Sequence, residues 1–189
     1  MKNKIYLINL LFFLLTNYSN ILSQSFYGGL KGEAFFLRSQ FQFQPESKFY
    51  VTSFYLFGGM EINKNIKLDL QYGILLSEGN RYNGFETGLI FKYFLRENKE
   101  FVSCGVLTHK NSGTNSFHHI SKSNYLLVGT IGLGTYLTDI LFIQLSYQIP
   151  IGENQYADFR YWDVEKGMLK EPILLINLIK FSIGISFDF

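Results

Sequence analysis

The stretch Ile179-Lys180-Phe181-Ser182-Ile183-Gly184-Ile185-Ser186-Phe187-Asp188-Phe189 closes the chain. Every odd-numbered position in it is large and apolar, and every even-numbered one is polar, charged or Gly. Such a period of two marks a strand with two unlike faces. One face suits an apolar surrounding and the other a polar one.

The same alternation recurs upstream. Segments are read over Phe26 to Leu37, Phe49 to Ile62, Ile66 to Ile74, Phe85 to Leu95, Phe101 to His109, Tyr125 to Leu137 and Leu141 to Ile149, with the closing segment as the eighth. Short turns at Asn63-Lys64-Asn65, Arg96-Glu97-Asn98-Lys99 and Thr138-Asp139 separate some of them. Longer polar stretches, read as loops, fall at 38–48, 77–83, 110–122 and 150–172. Short and long connections alternate, which places both chain ends on one side. The sixth segment carries Gly129, Gly132 and Gly134, small residues that let a strand coil round a narrow barrel.

Charges follow the alternation. Lys31, Glu33, Glu61, Lys67, Asp69, Glu86, Lys92, Lys180 and Asp188 all fall on the face opposite the aliphatic one. Lys or Arg facing hydrocarbon at mid-depth costs roughly 2–4 kcal/mol, whereas opposite charges turned inward can pair. The interior of an eight-stranded barrel is just wide enough for side chains to fill it. These residues are therefore expected to form a lumen ion-pair network, a polar plug without an aqueous pore.

Composition agrees. The 189 residues are 47% hydrophobic, 18% aromatic and only 17% charged, with 20 Phe and 13 Tyr. Alternating apolar-out, polar-in strands dilute hydrophobicity in this way. The formal net charge of +2 is scattered, without the basic patch that nucleic-acid binding needs. Residues 1–23 read as a secretory signal: Lys2 and Lys4 precede an apolar run from Ile5 to Leu15, too short to span a bilayer as a helix. Residues 24–189 then form one domain. The single cysteine, Cys104, has no internal disulfide partner.

Alternation, topology and a terminal Phe resemble the OmpA/OmpX-type outer-membrane β-barrel family. The resemblance implies an all-β fold, a single antiparallel up-and-down transmembrane β-barrel of about eight strands in the cell outer membrane of a Gram-negative bacterium. It also implies contact with outer-membrane lipid and lipopolysaccharide, and reading of Phe187 and Phe189 by the barrel assembly machinery. The function expected is non-enzymatic: surface loops in structural, adhesive or partner-binding roles, with the external partner open. Tyr125 to Ile151 resembles larger solute-transporter barrels, so a narrow channel for small solutes is the alternative.

Three groups of residues bear on chemistry. His119-Ile120-Ser121 resembles the His-x-Ser of lipid A deacylases, which would make His119 and Ser121 catalytic; that family continues with Asn where this chain has Lys122, and no acidic residue lies between Ser121 and Asp139. His109, His118 and His119 lack a carboxylate or Cys at ligand spacing, so no metal and no cofactor is expected. In the last long loop, Tyr156, Phe159, Arg160, Tyr161 and Trp162 interleave aromatics with charge, a composition suited to a binding surface or to a hairpin extended above the membrane.

Overall fold

The structure, a computed structural model, describes residues 25–41, 44–76, 82–96, 99–112, 119–121 and 125–189. The leader expected over residues 1–23 lies outside the described residues. Ten strands follow in chain order: β1 Phe26–Phe41, β2 Gln44–Asn63, β3 Ile66–Leu75, β4 Gly84–Phe94, β5 Glu100–Asn111, β6 His119–Ser121, β7 Tyr125–Tyr136, β8 Leu141–Pro150, β9 Gln155–Asp163 and β10 Gly167–Asp188. Among the described residues no helix is long and apolar enough to cross a membrane, which says nothing of a barrel.

Eight strands, β1 to β5, β7, β8 and β10, make one antiparallel ring. β10 closes it by pairing with β1 from Tyr27↔Asp188 to Gln40↔Leu174. Closure leaves these eight without a free edge, the condition for a backbone surrounded by lipid. β9 pairs with the start of β10 outside the ring, and β6 adds to the far edge of β9.

Side chains are distributed inside out relative to a soluble barrel. Leu30, Leu56, Leu70, Leu89, Ile131, Leu145 and Ile183 project outward and are exposed, whereas Glu33, Lys67, Asp69, Glu86, Lys92 and Lys180 are buried. The fold is an all-β, closed, eight-stranded antiparallel barrel belted by apolar side chains, the distribution that suits lipid.

Two stretches read as loops are instead strand. β1 and β2 stay paired beyond Leu37, from Arg38↔Ser47 to Phe41↔Gln44, and most of 150–172 belongs to the β9–β10 hairpin. Above the apolar belt both faces of a hairpin meet polar surroundings, so the period of two fades although the pairing continues. Register shifts at Glu33/Phe35 and Arg38/Ser39 also displace the alternation there.

The expectation of an interior polar throughout is corrected as well. Polar and ionic groups form a central belt between two apolar caps. Tyr27, Phe57, Phe94, Phe101 and Phe142 fill the end near the chain termini. At the opposite, hairpin end, Phe35, Leu37, Leu75, Leu107, Leu126 and Leu178 surround Tyr82 and Tyr156. The terminal turns are tied locally: Asn63 Oδ1 accepts the Asn65 amide at 2.9 Å, and Thr138 Oγ1 accepts that of Leu141 at 3.0 Å.

Candidate functional site

The central belt draws one charged or polar group from each of several strands. Lys180 on β10 is 1% exposed; its Nζ donates to Glu86 Oε2 on β4 and to the Tyr55 hydroxyl on β2, each at 2.7 Å. The same nitrogen is 3.4 Å from Glu33 Oε2. Tyr55 itself donates to Glu86 Oε2 at 2.6 Å, and Glu33 takes Lys31 at 2.8 Å and the Ser182 hydroxyl at 3.0 Å. Two carboxylates and two ammonium groups thus neutralise one another with their hydrogen-bonding capacity largely used, as buried charge requires. Gly73 makes room for this arrangement, because a Cβ there would fall on the Tyr55 ring.

Nearer the terminal end lies a second group. Lys92 pairs with Asp69 at 2.7 Å and sits 5.3, 5.2 and 5.1 Å from the ring centroids of Phe57, Phe101 and Phe142. Such cation–π contacts are strongest where water is excluded. Tyr27 donates to Asp69, and Lys67 pairs with Glu61 while lying 4.7 Å from the Tyr27 ring. Asp188 departs from its expected place in the network. It is exposed at the terminal mouth, where its strand is still paired with Tyr27, and among the described residues it makes no ion pair. The void that Lys31, Glu33, Asp69, Lys92 and Gln144 line amounts to about 10 Å³, the room of a single water.

The hairpin-end cap contains residues that sequence reasoning did not assign. His109 on β5 is fully buried, stacked on Tyr82 at 4.1 Å with rings 7° apart, and its Nδ1 is 3.4 Å from Glu86 Oε1. Tyr156 meets Tyr82 edge to face at 5.4 Å, and Asn111 Nδ2 donates to the Tyr156 carbonyl at 2.6 Å. Tyr156, expected on an exposed binding surface, is 1% exposed: the base of β9 turns over the lumen and carries this ring into it. The alternation of β5 already turned His109 inward, but nothing in the sequence announced Tyr82 as its partner.

Beyond the cap the extension is made of β9, the first half of β10 and β6. Phe159 packs on Phe41 of the β1–β2 hairpin at 4.7 Å between centroids. Tyr161 donates to Glu171 Oε1 at 3.0 Å, and this hydrogen bond lifts the phenol above its ordinary pKa. Arg160 and Tyr161 are half-buried, and Trp162 is exposed. β6 joins β9 through His119↔Phe159 and Ser121↔Ala157, off the ring. The side chains of His119 and Ser121, like the whole of His118, lie outside the described residues. Among the described residues no group of three His, Cys, Asp or Glu is placed to hold a metal ion. Cys104 points outward and is exposed. So do Phe187 and Phe189, the latter's amide donating to the Phe26 carbonyl at 2.8 Å.

No family model matches the chain, and no curated protein matches it. Among solved structures, the N-terminal β-barrel domain of Pseudomonas aeruginosa OprF is 18% identical, with a TM-score of 0.45, covering 85% of this chain and 99% of that one. Neisserial surface protein A is 14% identical, with a TM-score of 0.47 and coverage of 88% and 99%. OprG of P. aeruginosa is 9% identical, at 0.48, 86% and 96%. In fold the chain is similar to small outer-membrane barrels. The likeness is one of shape, and the barrel rests on its own ring of strand pairings.

Proposed function

We propose that this protein is an integral outer-membrane barrel, delivered there by its leader, that neither conducts solutes nor catalyses a reaction. Its role is to hold the β1–β2, β6 and β9–β10 extension above the membrane as a binding surface. The observation that carries this reading is the filled middle of the lumen, in which an ionic belt lies between two apolar caps and the void at the belt is about 10 Å³. Both ends and the middle would have to rearrange together before a solute passed. The buried carboxylates and His109 are sealed from any substrate by the same caps. The apolar exterior supports the membrane location, since a soluble barrel would hold such side chains away from water.

Purified protein in planar bilayers is expected to give no stable current steps. Reproducible ion-selective steps would overturn the filled-lumen reading. In cells, heat-modifiable migration from the outer-membrane fraction and cleavage within 155–170 by external protease are expected together.

A further inference from the structure

We infer that the tip of the β9–β10 hairpin is a membrane-docking prong that inserts into an apposed bilayer bearing anionic phospholipid headgroups. This rests on the proposed surface orientation of the barrel. Trp162 and Met168 are cross-strand partners, 71% and 53% exposed, and Val164 in the turn between them is 95% exposed. Water gains nothing from three such side chains held together on a hairpin, and Trp is the residue best suited to the headgroup boundary.

The next rung down on the same face is Arg160↔Lys170. Like charges directly opposite each other on a ribbon repel. Among the described residues neither cation makes an ion pair, and Arg160 Nε is buried without a hydrogen-bond partner. An anion placed between the two charged ends removes the repulsion. The acidic neighbours make hydrogen bonds of their own: Asp163 Oδ1 accepts the amides of Glu165 and Lys166 in the turn, Glu171 Oε1 takes Tyr161 while its Oε2 is buried without a partner among the described residues, and Asp158 takes Gln155 at 2.5 Å. Glu165 at the turn is offset by Lys166 beside it.

The order along the prong selects the target. The facing pair Arg160 and Lys170 stands nearer the protein's own barrel than Trp162, Met168 and Val164, with Glu165 and Lys166 sharing the turn, so this face fits a bilayer that faces it and is reversed for the membrane in which the barrel sits. Gly167 at φ 75° closes the turn in the left-handed conformation that glycine adopts without steric cost.

Trp162 is the only tryptophan, so its emission reports the tip alone. Barrel held in amphipathic polymer is mixed with phosphatidylglycerol or phosphatidylcholine vesicles. The expected result is a blue shift and co-flotation with the anionic vesicles only. Arg160→Gln with Lys170→Gln should lower partitioning on the order of 30-fold, from about one kilocalorie per cation near an anionic surface. Val164→Asn with Met168→Gln should abolish the blue shift while heat-modifiable migration stays intact. Absence of any shift, equal binding to both vesicle types, or full competition by inorganic phosphate would overturn the inference. A soluble protein partner that protects Trp162 while vesicles do not would overturn it too. Conductance is measured separately, so failure of the filled-lumen reading is told apart from failure of the prong.

Discussion

Lys180 is the residue on which the interior turns. It bridges Glu86, Tyr55 and Glu33, each drawn from a different strand, and all four are buried. Removing one partner of a buried ionic group costs more than the pair is worth, because the remaining charges keep their desolvation penalty. Lys180→Met is therefore expected to destabilise the folded barrel by about 3–5 kcal/mol in urea unfolding from vesicles. Adding Glu86→Gln to it should recover part of the loss, since Glu33 keeps Lys31 at 2.8 Å. Losses that simply add would show that Lys180 and Glu86 act independently. Alternation alone placed Lys180, Glu33 and Glu86 on one face. Which lysine meets which carboxylate was not legible, because it depends on register across strands more than 90 residues apart in sequence.

At the scale of elements, the eight ring strands were legible and the extension was not. Segments such as Ile66 to Ile74 and Leu141 to Ile149 coincide with β3 and β8 to within a residue, because an apolar outside and a polar inside write themselves into alternate positions. The 22-residue β10 carries that signal only where it meets the belt; its first half, paired with β9, has water or polypeptide on both faces. The inward turn of Tyr156 was not legible for the same reason. Asn111 ties this element to the barrel through the Tyr156 carbonyl, with Tyr82 and His109 beneath. Asn111→Ala removes that donor and leaves a buried carbonyl with one partner fewer, at a cost of about 1–3 kcal/mol. The expected readout is faster proteolysis within 155–170 together with unchanged heat-modifiable migration of the ring. Protection equal to that of the parent protein would mean that the apolar packing of Tyr156 holds the hairpin without the hydrogen bond.

For the molecule as a whole, the decisive quantity is what the exterior touches, and depth supplies the test. Leu70 lies at the middle of β3, paired with Gly58 and Leu89, and its side chain is exposed. Ile62 is equally outward but stands beside the short turn at the terminal rim. Arginine facing acyl chains costs roughly 2–4 kcal/mol at the midplane and roughly 0–1 near the interface. Leu70→Arg should thus lose most of that larger amount in reversible unfolding from lipid vesicles, whereas Ile62→Arg should lose little. In water the ordering has no cause, since both side chains would exchange one solvated state for another. A graded penalty that tracks distance from the rim fixes the barrel in a bilayer and sets its tilt. Equal tolerance at both positions would instead mean that the exposed Leu, Ile and Phe are covered by protein, and the outer-membrane placement would fall with it.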